Sequence, residues 1–257
     1  MNIKSLFNHS TDDFSTQQTL TLIGLAGLAA LLIAFVPGLG WLGYPFRLLI
    51  TMVHELAHGL AALLTGGEFR RFVISADGAG LAYTAGGWRW VIVPAGYVGV
   101  ALFGAVLILL GRSHRWSRTA LAVIGGLMIL LSLRYGAPSI VSGDFLSGIL
   151  TTVTGVIFGC FFVAVAWKAA PGWIIFLLHL VAIQAGLTAF SDLATVIGLS
   201  TQFFNAPAND AQSMAELTFI PAIIWAVLWA ILAVALLGGA IWVTWIGSEG
   251  NEGTYGN

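Results

Sequence analysis

The residues best suited to chemistry stand in LLITMVHELAHGLAALLTGG, residues 48–67, a stretch that is otherwise apolar. His54 and His58 are four positions apart, so on a helix they differ by about 40° and lie one turn above each other. Neutral imidazole is a favoured zinc ligand, and in a helical His-Glu-x-x-His pattern the glutamate acts as general base. The spacing therefore predicts a metal site on His54 and His58, with Glu55 as the catalytic base.

These three ionisable residues stand at the centre of a segment long enough to cross a membrane. A spanning helix needs about 20 mostly apolar residues, and an ionisable residue at its centre costs roughly 2.5–3.5 kcal/mol on insertion scales. Three of them at ligand spacing are hard to explain as packing, although hydrogen bonding between helices is the structural alternative. We therefore expect Zn²⁺ as the cofactor.

The composition indicates a polytopic membrane protein. Hydrophobic residues make up 58% of the 257 positions and charged residues 8%, with a mean hydropathy of +0.94, whereas soluble domains average about 25% charged residues. The formal net charge of −1 provides no basic surface, which argues against nucleic acid as a partner. The single cysteine, Cys160, excludes a disulfide framework or a cysteine zinc site within the chain.

The elements that must position the three residues can also be read from the sequence. Residues 66–87 have β-branched residues around Asp77 and Gly78 and glycine pairs at both ends, which predicts a β-hairpin. Because exposed backbone cannot face lipid, this hairpin must lie at the membrane interface or be buried in protein beside a polar cavity. Seven apolar segments are candidate membrane helices, near residues 18–38, 44–65, 90–110, 119–136, 146–168, 172–198 and 218–246.

The predicted fold is thus an all-α polytopic membrane protein with about seven transmembrane helices and a small interfacial β-hairpin after the second. We divide the chain into a polar N-terminal arm (1–17), one membrane domain (18–246) and a disordered C-terminal tail (247–257). The sequence contains no evident internal repeat. Transporters are often built from repeated halves, so the pattern does not favour that class.

A catalytic zinc site keeps three protein ligands and leaves one position for water, so the two histidines need a partner. Asp192, in GLTAFSDLATVIG, lies about 9 Å from the end of its predicted helix at 1.5 Å per residue, a depth that matches His58. Asp144, in YGAPSIVSGDFLSG, reaches that depth only if residues 137–146 dip into the protein. The structural alternatives are a helix N-cap for Asp144 and a buried ion pair for Asp192. Asp210, in NAPANDAQS, is more simply a solvated turn residue.

The sequence resembles the site-2 proteases, integral-membrane zinc metallopeptidases that hydrolyse peptide bonds within the bilayer. The resemblance rests on HELAH in a spanning helix, on the glycine-bounded hairpin after it, and on VPAGYVG at the start of the next helix. More specifically, it is similar to a divergent bacterial branch, the peptidase M50B-like proteins, in which NDAQSMAELTFIPAIIWAVLW, residues 209–229, also has counterparts.

This resemblance implies a zinc-dependent intramembrane endopeptidase of the bacterial cytoplasmic membrane that acts on membrane-protein or peptide substrates. In site-2 proteases the aspartate ligand usually comes from a Leu-Asp-Gly type segment at the start of a helix. That position corresponds to Asp144, although the segment here reads SGDF. The resemblance thus implies His54, His58 and Asp144 as metal ligands, and the comparison of depths leaves Asp192 as the alternative third ligand.

The hairpin suggests how a helical substrate is held open for attack. An exposed strand edge at Phe72, Val73 and Ile74 would pair with an extended substrate segment by β-augmentation, whereas a hairpin that only plugs the site is the alternative.

Two other functions stay open: a transporter that uses the polar cluster as a proton or ion relay, and an inactive metal-binding scaffold. Measured zinc stoichiometry distinguishes the relay from the protease, and a cleavage assay distinguishes the inactive scaffold from the protease.

Overall fold

The computed structural model describes residues 7, 16–200 and 209–246, apart from the side chains of residues 16, 114, 192–200, 245 and 246. Within these ranges, seven helices are long and apolar enough to cross a membrane, and a two-stranded antiparallel hairpin follows the second. The predicted fold class is therefore confirmed. The predicted N-terminal arm and C-terminal tail fall almost entirely outside the described residues.

Each spanning helix is an apolar run of 18 residues or more, close to the length that the hydrocarbon layer requires. A short helix, Asp210–Thr218, stands before the last span, and a π-helical turn, Trp242–Ile246, extends that span. In chain order the elements are α1 (Thr16–Phe35), α2 (Gly40–Leu64), β1 (Glu68–Ile74), β2 (Gly80–Ala85), α3 (Arg89–Leu110), α4 (His114–Leu131), α5 (Phe145–Lys168), α6 (Pro171–Ser200), α7 (Asp210–Thr218) and α8 (Ala222–Ile241).

Helix α2 carries the two histidines and is surrounded by protein, because α3, α5, α6 and both strands pack against it. Its side chains Leu49 and Met52 are buried in the main apolar core. The outer helices instead expose large apolar side chains, such as Leu28 on α1 and Ile231 on α8. An apolar surface of this extent matches hydrocarbon rather than water, so the bundle is an integral membrane domain.

The tip of the hairpin is fixed to the first half of α2. Gly78 closes the turn with a bond from its N–H to the carbonyl of Ser75 (2.9 Å) and takes the left-handed φ of +84° that glycine allows. The hydroxyl of Tyr44 donates to the carbonyl of Ala76, and that of Thr51 donates to the carbonyl of Gly78, both at 2.8 Å. Since Thr51 lies near the midpoint of α2, the hairpin reaches the level of the bundle interior, where β1 is buried in protein and β2 lines the polar side, the second of the two placements that its exposed backbone permits.

Strand β1 is the buried strand, contrary to the expectation that its edge is exposed. Phe72, Val73 and Ile74 are all buried in the core. The outer edge of the strand is also used by the bundle: the N–H of Ile74 donates to the Thr151 hydroxyl (2.7 Å), and the Ser139 hydroxyl donates to the carbonyl of Phe72 (2.9 Å). The exposed edge expected at residues 72–74 is therefore not present, because side chains of the protein already bond to that edge.

The segment between α4 and α5 is irregular, as its glycines and proline predicted. A π-helical turn, Ser132–Gly136, and a 3₁₀ turn, Ala137–Val141, replace regular α-helix. The 3₁₀ turn does enter the protein, and Ser139 within it is fully buried. It packs against β1 and α5, however, so the segment supports the hairpin and leads to Asp144 on that side.

Candidate metal centre

The two histidines of α2 face one point, as their spacing predicted. Their Nε2 atoms lie 3.0 Å apart. On the other side of the His58 ring, Nδ1 lies 2.7 Å from the carbonyl oxygen of Ile92 on α3. A carbonyl only accepts hydrogen bonds, so Nδ1 carries the proton, and in the neutral ring the lone pair of Nε2 is directed at the cluster. This is the arrangement in which a histidine is oriented for metal binding.

The carboxylate that lies beside the histidines belongs to Asp210. Its Oδ2 is 2.9 Å from Nε2 of His54 and 3.2 Å from Nε2 of His58. Asp210 is the first residue of α7, where the side chain of Asn209 caps the helix by accepting from the N–H of Gln212 (3.0 Å). Burial opposes the charged carboxylate, but the neighbouring His58 and His54 hold the pKa of Asp210 well below its usual range.

Helix α7 reaches the histidines because its other face is apolar. Ala211 and Met214 are buried against Val93 of α3 and Trp229 of α8. This packing places the start of α7, and with it Asp210, over the middle of α2. The acidic residue also stands in the first turn, where a negative side chain is favoured by the helix dipole.

The three side chains fit a zinc ion by their donor atoms and by their separations. Two imidazole nitrogens and one carboxylate oxygen form a known type of zinc ligand set. Tetrahedral zinc with bonds of about 2.0–2.1 Å places neighbouring ligand atoms roughly 3.3–3.4 Å apart, and the three observed distances are 2.9, 3.0 and 3.2 Å. Within the part of the chain that the structure describes, His54, His58 and Asp210 are the one group of three potential ligands that meets in this way.

Glu55 lies beside the cluster but does not belong to it. The side chain is buried and rests against Gly80 of β2, where an added Cβ would lie 2.5 Å from Oε1. The backbone of Ala82 provides a hydrogen bond to the carboxylate. Because Glu55 follows His54 directly, it projects about 100° further around α2, so one helix presents both the metal-facing nitrogens and the carboxylate.

All four residues line one cavity of about 630 Å³, whose walls are formed by α2, α3, α6, the hairpin turn with β2, and the start of α7. The Tyr97 ring packs edge-on against His54, with centroids 4.8 Å apart, and stacks on Trp229. Thr51, Ser213 and two arginines, Arg47 and Arg89, also line the cavity. A polar cavity of this size falls within the range of ligand-binding pockets.

Asp144 lies elsewhere, against the hairpin. Its carboxylate accepts a hydrogen bond from the Arg71 guanidinium and a second from the Tyr83 hydroxyl (3.2 Å), and the guanidinium stacks on the Tyr83 ring. The bond from Arg71 lowers the pKa of Asp144. Asp144 thus fixes the hairpin to the start of α5, and the expectation that it meets the histidines is corrected in favour of Asp210.

The remaining candidate, Asp192, lies in the part of α6 whose side chains are outside the described residues. Asp210 was considered in the sequence but treated as a turn residue. The signal that could have identified it is the Asn-Asp pair at a helix start, followed by apolar Ala211 and Met214 at a spacing that buries one face.

The fold and the cluster define a polytopic membrane protein whose helices enclose two histidines, an aspartate and a glutamate in one cavity. The family model Peptidase M50B-like matches residues 24–240, which include all four of these residues, so the chain belongs to that family of membrane peptidases. The predicted relationship to the site-2 proteases is thereby confirmed. No curated protein and no solved structure matches the sequence significantly.

Proposed function

We propose that this protein is a zinc-dependent intramembrane endopeptidase, with His54, His58 and Asp210 as metal ligands and Glu55 as general base. The observation that carries the proposal is the convergence of three ligand atoms beside a buried carboxylate in a cavity within the membrane domain. Membership of a peptidase family supports the reaction class. The corresponding location is the bacterial cytoplasmic membrane.

A zinc ion held by His54, His58 and Asp210 would supply a water of lowered pKa, about 7, and would polarise the scissile carbonyl. Glu55 accepts the proton of the attacking water as the new C–O bond forms. The same carboxyl then returns this proton to the leaving nitrogen as the C–N bond breaks, so Glu55 is unchanged after one turnover. Its position beside β2, fixed by Gly80 and Ala82, keeps the carboxylate facing the cavity.

The same strand is the best supported site for a substrate backbone. Ile74 and Phe72 direct their main-chain groups away from β2, so their antiparallel partners, Gly80 and Ala82, direct theirs away from β1. These groups of β2 face the cavity beside Glu55. We therefore propose that β-augmentation uses the cavity-facing edge of β2, where a substrate would displace the bond from Ala82 to Glu55, rather than β1.

An extended segment on this edge solves a problem specific to membrane substrates. A transmembrane helix hides its peptide groups in internal hydrogen bonds, so it must unwind before water attacks. Pairing with β2 replaces those bonds with hydrogen bonds to a strand and places the opened peptide next to Glu55. The substrates on this proposal are membrane proteins or apolar peptides held in the bilayer.

Removal of the metal tests the proposal directly. We expect the purified chain to contain one zinc per molecule and to cleave apolar helical peptides in detergent. A strong chelator is expected to abolish cleavage, and added zinc to restore it. Metal content by mass spectrometry and peptide products by chromatography provide the measurements. A chain that retains its helical circular dichroism yet takes up no zinc would contradict the proposal.

Gly96 offers a test that changes no ligand. An added Cβ at this position of α3 would overlap Nε2 of both His54 and His58, so Gly96→Ala is expected to push the rings apart. Loss of a residue that supports a metal ligand typically weakens metal affinity about 10–100-fold. Displacement of two ligand rings is expected to weaken zinc affinity by at least this factor. Gly126→Ala is the matched control, because nothing lies within 4 Å of its added Cβ. Equal zinc affinity in the two variants would contradict the geometry.

A further inference from the structure

Two arginines lie on the wall of the cavity, at opposite ends of β2. Arg47, on α2, packs its side chain against Gly78, two residues before the strand begins. Arg89 begins α3, four residues after the strand ends, and lines the same cavity. Both residues are exposed. The strand beside Glu55 is therefore bracketed by two positive charges.

Neither of these two arginines forms an ion pair within the described part of the chain. The four ion pairs there involve other groups, among them Arg71 with Asp144 and Arg70 with Glu68. Arg118 donates to main-chain carbonyls at the end of α5. A guanidinium in a polar cavity is a strong partner for a carboxylate, because it donates two parallel hydrogen bonds.

The spacing of the two arginines matches an extended peptide. Strand β2 has six residues and so spans about 20 Å at roughly 3.3 Å per residue. A substrate segment paired with its cavity-facing edge would pass Glu55 near Gly80 and Ala82 and would meet one guanidinium beyond each end. Side chains six to eight positions apart in that segment would reach the two arginines.

We propose that Arg47 and Arg89 select substrates whose apolar cleavage segment is flanked on both sides by acidic residues. The proposal rests on the proposed function, since it names the substrate class of the same site. Positive charge at both ends also disfavours segments flanked by lysine, because like charges brought together are repelled. Lipid phosphate is the other anion within reach of arginines in a membrane protein, and the experiment is designed to separate the two.

The experiment uses the full-length protein in zwitterionic detergent without anionic lipid. Peptides share one apolar core and carry Asp, Asn or Lys at both ends, seven positions apart. Binding is measured with the Glu55→Gln variant by fluorescence anisotropy, and cleavage with the unaltered protein. We expect the Asp peptide to bind and to be cleaved at least about tenfold better than the Lys peptide, with the Asn peptide between them.

Charge reversal supplies the specific test. Arg47→Glu is expected to shift the preference to Lys at one end of the peptide, and Arg89→Glu at the other, as read with mixed Asp/Lys peptides. Arg112→Glu, an exposed arginine at the far end of α3, is the control and is expected to leave the preference unchanged.

The outcomes are distinct. Cleavage or binding that does not depend on peptide charge overturns the inference about the arginines but does not contradict the proposed peptidase activity. Charge-dependent binding without any cleavage by the unaltered protein supports the inference and counts against the peptidase. If the two reversals change activity only when anionic lipid is added, the arginines bind headgroups and the inference is overturned.

Discussion

Replacement of Glu55 by glutamine is expected to abolish peptide cleavage while the protein keeps its zinc. Glutamine has the size of glutamate and still accepts the hydrogen bond from Ala82, so the cavity and the three ligands keep their positions. The amide, however, does not take a proton from water at neutral pH. General-base catalysis is worth about 10²–10⁴-fold, and we expect kcat to fall by at least that factor.

Zinc content and cleavage rate, measured on the same preparation, provide the readout. His54→Ala is the contrasting variant: it removes a proposed ligand and is expected to lose both zinc and activity. Glu68→Gln is the matched control, because Glu68 is exposed and paired with Arg70 outside the cavity. Full activity in Glu55→Gln would eliminate the assigned base, and unchanged zinc in His54→Ala would eliminate the assigned metal site.

The sequence alone predicted those parts of the molecule that depend on local pattern. Apolar runs of membrane length predicted the seven spanning helices, because segment length and hydropathy determine whether a helix can cross the bilayer, whichever helices pack beside it. The turn at Asp77 and Gly78 was predicted by residue type, since Gly78 has the left-handed φ that favours glycine. The convergence of His54 and His58 followed from helical geometry within a single turn.

The third carboxylate was not predictable in the same way, because it comes from a distant part of the chain. Asp210 is 156 positions from His54 along the sequence. Its placement depends on the packing of Ala211 and Met214 against α3 and α8, which no local pattern specifies. The comparison of membrane depths considered only residues near or within the predicted spanning helices. It therefore gave no weight to an aspartate on a short helix between two spans.

The orientation of the hairpin also depends on tertiary contacts that the sequence pattern does not show. The pattern of β1 shows only that consecutive apolar residues occupy positions 72–74, a run more typical of a strand buried on both faces than of an exposed edge. Which edge faces the cavity was decided by the hydroxyls of Thr151 and Ser139, which satisfy β1 and leave β2 beside Glu55.

A comparison of three aspartates would decide the identity of the third ligand. Asp210→Asn keeps the shape of the side chain but removes the negative oxygen that lies 2.9–3.2 Å from both Nε2 atoms. We expect this variant to lose zinc binding by more than the roughly 10–100-fold that accompanies loss of a supporting contact, and to lose cleavage with it. The measurement is zinc affinity by competition with a chromophoric chelator.

Asp144→Asn and Asp192→Asn are the matched controls, because both residues were candidates from the sequence. Asp144→Asn is expected to retain zinc and instead to loosen the hairpin, since the charged partner of Arg71 is lost. Faster hydrogen exchange in β1 and β2 would record that effect. Zinc loss in Asp144→Asn or Asp192→Asn, with normal affinity in Asp210→Asn, would transfer the ligand to the other aspartate. Because α7 alone brings Asp210 to the histidines, that result would also mean that the helix lies elsewhere in the functional protein.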